Sequence, residues 1–229
     1  MLLHIPDVLT PAQLQMFREK LADAPWTDGR ITAGYQSAQA KDNAQLDEQH
    51  PIARELSAIV TDAVLRHPTF FAGALPRHIY PPLFNRYSGG QQFGFHVDNA
   101  IRYDRAREPA LPIRTDLSAT LFLAAPEEYD GGELVIEDNF GTHSIKLPAG
   151  DLVLYPASSL HRVQPVTRGA RVASFFWIQS LVRDDAQRRI LFDLDVAIQA
   201  LQQKQTNDQV ALLSLTGVYH NLLRQWSEP

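Results

Sequence analysis

The chain has 229 residues, no cysteine and a net charge of −5 at pH 7. The absence of cysteine excludes disulfides, thiolate metal sites and cysteine nucleophiles, and it fits a reducing compartment. The negative charge argues against a nucleic-acid backbone or an anionic membrane as the main partner. The N-terminal segment lacks the features of a signal peptide, and no apolar run reaches the ~20 residues of a membrane span, so we expect a cytoplasmic protein.

The N-terminal part of the chain is predicted to contain two helices. Thr10 and Pro11 carry the signature of a helix start, with Thr10 as N-cap and Pro11 at the first helical position, and Pro25 marks the end. A second helix is predicted over residues 51–66, because apolar side chains recur there at helical spacing. Residues 27–50 are polar, and we interpret them as an irregular connection.

From about residue 74 the periodicity changes from helical to strand-like. Eight short segments of alternating or apolar residues are separated by glycine- and proline-rich turn signals, one of them at residues 138–141. Short strands with helices gathered outside them indicate a mainly β protein with flanking helices, a β-sandwich or jelly roll. The predicted strands cover residues 79–87, 93–98, 118–123, 133–137, 143–146, 151–155, 161–166 and 171–179.

After residue 180 the pattern is helical again, with one helix predicted at residues 184–203 and another from about residue 207. We therefore divide the chain into a jelly-roll domain with N-terminal helices at residues 1–182 and a C-terminal helical extension at residues 183–229. An apolar stripe on the extension either covers the jelly roll or forms a homodimer interface, and we favour the homodimer. The stripe consists of Leu191, Leu194 and Ile198.

Three residues form a candidate metal site. His96 and Asp98 lie two residues apart in an apolar, aromatic segment, and on a strand such residues point to the same face. His161 begins a later predicted strand, where its side chain can project into the mouth of the sandwich. Two histidines and one carboxylate suit ferrous iron and leave coordination positions open for a co-substrate and O₂.

Arg171 follows His161 by ten residues. A hairpin that pairs His161 with Phe175 places His161 and Arg171 on one face. An arginine inside an apolar sandwich needs an anion, and its guanidinium matches a carboxylate in two parallel hydrogen bonds. A dicarboxylate that chelates the metal with its keto end and meets Arg171 with the other fits both requirements, and 2-oxoglutarate is such a molecule. Tyr87 either donates its hydroxyl to that ligand or is a core residue; both interpretations stay open.

Several short motifs point to a known family: Asn85-Arg86-Tyr87, His96-Val97-Asp98-Asn99, Asp130-Gly131-Gly132, His161-Arg162-Val163 and Arg171-Val172-Ala173. With these motifs the sequence resembles the Fe(II)- and 2-oxoglutarate-dependent oxygenases, and among them the bacterial PKHD-type hydroxylases, relatives of prolyl and lysyl hydroxylases. The resemblance implies a double-stranded β-helix (jelly roll) fold. It also implies His96, Asp98 and His161 as iron ligands and Arg171 as the 2-oxoglutarate anchor.

The resemblance further implies that the protein hydroxylates an aliphatic C–H with O₂, forming succinate and CO₂, and that ascorbate is a family-implied cofactor. The substrate is unidentified, either a peptide or amino-acid side chain or a small molecule. Asp98 favours hydroxylation, because related halogenases carry a small residue at that position. Three alternatives stay open: a non-catalytic iron- or oxygen-responsive jelly-roll binding module, a cupin-type zinc enzyme that leaves Arg171 unpartnered, and a nucleic-acid demethylase, which the net charge disfavours.

Residues 99–115 are arginine-rich and contain two prolines. The segment is too long and polar for a hairpin loop, and its position directly after Asp98 predicts a flap over the site. Its arginines either contact an anionic substrate or face solvent, and we favour a solvated loop. Asn99 is expected to cap the flap, and Trp177 is expected to be a core residue.

Overall fold

The computed structural model describes residues 1–32, 39–138, 141–204 and 208–229 of the chain. The predicted turn at residues 138–141 therefore falls partly outside the described residues, because it includes residues 139 and 140. Helices pack around a β-sheet core, which confirms the predicted mainly β architecture with flanking helices. The helices are α1 (Pro11–Ala22), α2 (Pro51–Arg66), α3 (Pro68–Ala74), α4 (Asp185–Gln203) and α5 (Gln209–Trp226).

Helix α1 begins as predicted. The Thr10 hydroxyl accepts a hydrogen bond from the Gln13 backbone N–H at 3.3 Å, and the Gln13 side chain accepts one from the Thr10 N–H at 2.9 Å. This reciprocal pair is a capping box, with Pro11 in the first turn. Helix α1 ends at Ala22, before Pro25, and helix α2 has the predicted bounds.

The eight predicted strands are all present, with shifted ends and additional short strands between them. The segment predicted at residues 79–87 is split, because Pro81 and Pro82 cannot donate ladder hydrogen bonds. The strands are β1 (Leu3–Ile5), β2 (Trp26–Asp28), β3 (Lys41–Asp42), β4 (Ala44–Leu46), β5 (Pro76–Ile79), β6 (Leu83–Ser88), β7 (Gln92–His96), β8 (Ile101–Asp104), β9 (Leu111–Arg114), β10 (Leu117–Phe122), β11 (Tyr129–Gly131), β12 (Leu134–Asp138), β13 (Gly141–Ile145), β14 (Leu152–Pro156), β15 (Leu160–Val163) and β16 (Val166–Ser180).

Two antiparallel sheets form the jelly roll. The major sheet has the order β1-β14-β10-β16-β6-β4-β2, with β11 and β5 also paired to the long strand β16. The minor sheet has the order β13-β12-β15-β7-β3, and β8 pairs with β9 in a separate two-stranded sheet. The predicted jelly-roll fold is therefore confirmed.

Successive side chains of the central strands point to opposite faces of the major sheet, and they pack in two hydrophobic cores, one on the helix side and one between the sheets. In β14, Leu152 and Leu154 contact the cluster that includes residues of α1, α2 and α3, whereas Val153 and Tyr155 belong to the cluster between the two sheets. Strand residues i and i+2 share a face, so the central strands β6, β10, β14 and β16 of the major sheet supply both cores. Phe84 of β6 is fully buried in the helix-side cluster. The helices thus cover the outer face of the major sheet and leave its inner face to the site.

The prediction of an irregular connection at residues 27–50 was wrong for the part of this range that the structure describes, which leaves out residues 33–38. Strand β3 pairs with β7 of the minor sheet, and β4 pairs with β6 of the major sheet. The polar composition concealed these strands because they are two or three residues long and carry no alternating apolar pattern. Because β3 pairs with β7, Lys41 of β3 lies opposite Phe93 of β7 at the edge of the site.

The predicted hairpin that paired His161 with Phe175 was also wrong. Strand β15 pairs with β12 and β7 in the minor sheet, whereas β16 pairs with β10 and β6 in the major sheet. His161 and Arg171 nevertheless face one pocket, because the two sheets pack face to face. His161 and Arg171 therefore face the same space, as predicted, but because the two sheets pack against one another and not because a hairpin joins the two residues.

The predicted flap is itself a hairpin of β8 and β9, which we call the flap hairpin (residues 101–114). Its base is closed by the Thr115 hydroxyl, which donates to the Asn99 carbonyl at 2.6 Å. Asn99 therefore contributes its backbone to the flap base.

Helices α4 and α5 pack on one another, and α4 also packs on α3. Leu191 is fully buried against Leu75 and Val182, and Ile198 is 6% exposed. The stripe predicted to form a homodimer interface is thus largely used within the chain, because two of its three residues are covered there. None of the helices in the described residues combines the length and apolar character that a membrane crossing requires.

Candidate active site

His96, Asp98 and His161 converge on one point, with their ligand atoms within 4.8 Å of one another. His96 ends β7 and lies opposite His161 of the neighbouring strand β15. Strand β7 was predicted to continue to Asp98, but it ends at His96, so Asp98 reaches the site from the chain just beyond the strand. Its Oδ2 lies 3.8 Å from Nε2 of His161, and the two imidazole centroids are 4.2 Å apart.

Backbone carbonyls orient both imidazoles. Nδ1 of His96 lies 2.9 Å from the Gly94 carbonyl oxygen, and Nδ1 of His161 lies 2.9 Å from that of Ser159. A carbonyl only accepts, so each Nδ1 carries the proton and each Nε2 keeps a free lone pair. Burial, together with the adjacent His161, lowers the pKa of His96 to about 4, so this imidazole is neutral at neutral pH, as a metal ligand must be.

The carboxylate of Asp98 is held by a strand of the opposite sheet. The buried Ser118 hydroxyl of β10 donates to Oδ2 of Asp98 at 2.6 Å. Phe93 stacks on the His96 ring at a centroid distance of 3.6 Å, and Tyr155 meets His161 edge-on at 5.3 Å. The three ligand side chains are therefore fixed by hydrogen bonds and packing. Two imidazole nitrogens and one carboxylate oxygen in this arrangement fit a ferrous ion with open positions.

Arg171 lies in the same pocket, on the major sheet. The residue is 1% exposed, its Nε has no hydrogen-bond partner, and it forms no ion pair within the described part of the chain. Its guanidinium carbon lies 5.2 Å from the Phe122 ring and 5.5 Å from the Tyr87 ring. An uncompensated buried cation is costly, so the arrangement calls for a bound anion at this point.

Tyr87 of β6 is the cross-strand neighbour of Arg171. It is 1% exposed, packs in the cluster between the sheets and also lines the pocket. Burial raises the pKa of its phenol to about 12, so the hydroxyl keeps its proton and can donate a hydrogen bond. The interpretation of Tyr87 as a core residue and its interpretation as a ligand contact are therefore compatible. The ring packs in the core, and the side chain also borders the pocket.

The pocket, counted to its open mouth, measures about 760 Å³. Sequence reasoning missed several of its lining residues. Ser118 lies in a predicted strand whose apolar pattern gives no sign of a contact with Asp98. Lys41 lies in the segment that the sequence predicts to be irregular. Trp177 is 6% exposed and packs on Tyr80 as the core prediction requires, but it also borders the pocket.

Two family models match the chain. Residues 82–179 match the 2OG-Fe(II) oxygenase superfamily, a range that holds all three candidate ligands and Arg171. Residues 185–228 match the PKHD-type hydroxylase C-terminal domain, which corresponds to helices α4 and α5.

Solved structures share the fold at low sequence identity. A prolyl hydroxylase of Trichoplax adhaerens, in complex with a hypoxia inducible factor peptide fragment, aligns with a TM-score of 0.56 at 15% identity, covering 83% of this chain and 86% of that one. A prolyl-4-hydroxylase of Pseudomonas putida aligns with a TM-score of 0.51 at 19% identity, covering 78% and 92%. These likenesses concern the fold alone.

Curated relatives are much more similar. A PKHD-type hydroxylase of Xanthomonas campestris pv. campestris (strain B100) is 71% identical over 228 residues, covering 100% of both chains. A PKHD-type hydroxylase of Burkholderia lata is 60% identical with the same coverage. Relatives named as hydroxylases favour an enzyme over a non-catalytic binding module. The chain therefore belongs to the PKHD-type hydroxylases, and it is an enzyme of the 2-oxoglutarate-dependent dioxygenase type.

Proposed function

We propose that this enzyme binds Fe(II) through His96, Asp98 and His161, binds 2-oxoglutarate through Arg171, and hydroxylates an aliphatic C–H. The products are succinate, CO₂ and the hydroxylated substrate, which is a peptide or amino-acid side chain or a small molecule. The observation that carries the proposal is the pairing, in one pocket, of a two-histidine, one-carboxylate cluster with a buried arginine that has no anion partner in the described residues.

Each end of 2-oxoglutarate has a matching group in the pocket. Arg171 offers a desolvated guanidinium to the far carboxylate, and Tyr87 beside it offers a protonated hydroxyl. When bound, iron and 2-oxoglutarate supply the activation of O₂, in which 2-oxoglutarate is oxidised to succinate and CO₂ and one oxygen atom enters the substrate C–H bond.

The chain's own residues supply position and a dry environment. The carbonyls of Gly94 and Ser159 hold both imidazoles in the ligating tautomer, and Ser118 holds the carboxylate of Asp98. Aromatic side chains from both sheets, among them Phe93 and Phe175, line part of the remaining wall and limit the access of water.

The proposal is tested without knowing the substrate. Metal-free protein is loaded with Fe(II) in the absence of O₂, 2-oxoglutarate is added, and the visible metal-to-ligand absorption band of the chelate is recorded. O₂ is then admitted and succinate is assayed. A band followed by slow succinate formation is the expected result. The absence of both would refute the assignment of the site.

Two variants separate the two halves of the site. Replacing His96 with Ala removes an iron ligand and should abolish iron binding and succinate formation. Arg171→Gln should raise the 2-oxoglutarate concentration needed for half-maximal turnover by at least about tenfold, because a charge-assisted hydrogen-bond pair is lost, with iron affinity nearly unchanged. Arg168→Gln is the matched control, since Arg168 lies on the same strand but pairs with Asp130 at the surface. Equal losses of iron and 2-oxoglutarate binding in Arg171→Gln would contradict the role given to it.

Four further features belong to the proposal. Ascorbate is expected to sustain turnover, as the family resemblance implies. A cytoplasmic location and a homodimer remain predictions from the sequence, and a homodimer would need a surface other than the covered stripe on α4. The division at residues 182 and 183 is a proposal as well.

A further inference from the structure

One arginine of the flap hairpin lies against the pocket wall. The guanidinium carbon of Arg102 lies 4.0 Å from the Trp177 ring centroid and 4.8 Å from that of Tyr80. Its cross-strand neighbour Ile113 is 1% exposed and packs in the same aromatic cluster. Both Arg102 and Trp177 line the pocket. The inner face of the hairpin therefore covers the aromatic wall at this side of the pocket.

The other arginines of the flap hairpin are used differently. Arg107 pairs with Asp104 within the hairpin, and Arg105 is exposed. Arg114 forms two ion pairs at the base of the hairpin. The solvated role expected for the flap arginines therefore holds for Arg105 and fails for Arg102 and Arg114.

Arg114 fixes the base of the hairpin to the end of β16. Its Nε and Nη2 donate to the two carboxylate oxygens of Asp116 at 2.7 and 3.1 Å. The Asp116 side chain is 6% exposed and also accepts from the Ser180 backbone N–H at 2.9 Å. The Arg114 backbone N–H donates to the Gln179 side chain at 3.2 Å. Two parallel hydrogen bonds fix the plane of the guanidinium, and its Nη1 remains for a second acceptor.

The C-terminal helical extension supplies that second acceptor. Nη1 of Arg114 donates to Oε2 of Glu228 at 2.9 Å, the one ion pair between the extension and the flap hairpin in the described part of the chain. The Glu228 backbone is held separately, because its N–H donates to the Leu181 carbonyl at 2.7 Å and its carbonyl accepts from Arg77 at 3.1 Å. Glu228 follows α5, whose last residue Trp226 packs in a hydrophobic cluster with residues of α4. The position of Glu228 is therefore set by contacts outside the hairpin.

No third strand secures the flap hairpin within the described residues. Strands β8 and β9 pair with one another alone, and an isolated two-stranded ribbon is marginally stable. Its inner-face packing and the contacts of Arg114 hold it instead. At its base the Thr115 hydroxyl and N–H donate to the carbonyls of Asn99 and Ala100 at 2.6 and 3.0 Å. This fixed base separates the hairpin from Asp98, so the hairpin can move while Asp98 stays in place.

We propose that the C-terminal helical extension latches the flap hairpin over the pocket through Glu228 and Arg114, the latch pair, and that opening of the latch pair sets how fast ligands enter and leave. Elements that open for ligand passage are drawn from the less firmly held parts of a fold. The inference rests on the proposed function, because the ligand that is followed is 2-oxoglutarate bound at Arg171. It gives a role in turnover to the extension, which contributes none of the described lining residues.

The test measures how fast 2-oxoglutarate exchanges. Protein is loaded with Fe(II) and radiolabelled 2-oxoglutarate in the absence of O₂, binding is verified by the absorption band, and release into excess unlabelled 2-oxoglutarate is followed by rapid filtration. Association is followed by stopped-flow absorption of the same band. Glu228→Gln should raise both rates about two- to fivefold, the range by which an ion pair of this exposure shifts an opening equilibrium. The affinity should stay unchanged, because neither residue of the latch pair lines the pocket.

A second measurement needs neither metal nor ligand. Hydrogen exchange of residues 101–114 in the metal-free protein reports the opening of the flap hairpin itself. It should rise in Glu228→Gln by the same factor as the two rates.

Variants assign the effect to the latch pair. Arg114→Gln should raise both rates further than Glu228→Gln does, because it also loses the pair with Asp116. Adding Glu228→Gln to Arg114→Gln should then change nothing more, since the two side chains act through one contact. Asp193→Asn is the matched control: it removes the exposed Arg189–Asp193 pair on α4 and should leave both rates unchanged.

Four results would overturn the inference: unchanged exchange rates in Glu228→Gln, an equal rise in Asp193→Asn, a loss of affinity with an unchanged association rate, or faster hydrogen exchange of the hairpin with no change in either rate. The failure of the two proposals is distinguishable. No chelate band in the parent protein means that the proposed function is wrong. A band whose rates do not respond to Glu228→Gln means that the latch alone is wrong.

Discussion

Ser118→Ala tests whether the hydrogen bond to Asp98 tunes the metal centre. The Ser118 hydroxyl is buried and donates to Oδ2 of Asp98 at 2.6 Å, a short contact of the kind that charged acceptors make. Such a bond contributes about 1.5 to 3 kcal/mol. Alanine removes the donor and lets the carboxylate rotate away from the two imidazoles. We therefore expect Fe(II) affinity to fall about 10- to 100-fold, the range seen when groups that orient metal ligands are removed.

The measurement is calorimetric titration of metal-free protein with Fe(II) in the absence of O₂, repeated with Mn(II), which does not oxidise under the conditions. Thermal unfolding of the metal-free protein is recorded alongside. Iron affinity should fall while the protein stays folded, and 2-oxoglutarate should still be bound once the metal is supplied in excess.

Ser174→Ala is the matched control. Ser174 is also fully buried and lies on β16, the strand paired with β10, but its hydroxyl has no hydrogen-bond partner among the described residues. Its removal should leave iron affinity unchanged. Iron affinity within twofold of the parent in Ser118→Ala, or an equal loss in Ser174→Ala, would refute the idea that Ser118 orients the ligand.

Three further perturbations test the structure around the site. Gly132→Ala should weaken 2-oxoglutarate binding more than iron binding, because Gly132 has φ +70° and an added Cβ would lie 2.8 Å from Cγ2 of Val166, 3.0 Å from Cε2 of Tyr129 and 3.1 Å from Cδ of Arg171; an unchanged 2-oxoglutarate requirement in steady-state kinetics would contradict this. Phe84→Ala should lower the free energy of unfolding by about 3 to 5 kcal/mol in denaturant titrations, because the ring is fully buried; a loss under 1 kcal/mol would mean that the core closes around the space. Glu228→Gln should increase hydrogen exchange in the flap hairpin, because it removes the carboxylate that pairs with Arg114; unchanged exchange would show that the hairpin does not depend on this contact.

The candidate ligand residues could be proposed from the sequence because their residue types and spacing are local features. His96 and Asp98 are close in the chain, His161 lies at the start of an apolar strand, and an arginine in an apolar strand is conspicuous. Helix starts were predictable for the same reason, since Thr10 satisfies backbone groups three residues away. The jelly-roll fold was predictable from the number and spacing of the short strands, because this prediction does not require knowing which strands pair.

The strand pairings were not predictable, because β-sheet partners are chosen by contacts between residues distant in the chain. The hairpin expected to join His161 to Arg171 does not exist, and the two residues meet across two sheets. The short strand that carries Lys41 had no periodic signal of its own and is held by pairing with β7.

What the sequence by itself determined is the type of fold, the set of candidate ligands and the family, since each depends on residue types at local spacing. Only the tertiary structure decided which polar residues face the pocket. It separated Arg102, stacked on Trp177, from the paired and exposed arginines of the same hairpin, and it placed Ser118 against Asp98. The physical reason is that burial and charge compensation depend on what surrounds a side chain in space, which local sequence does not encode.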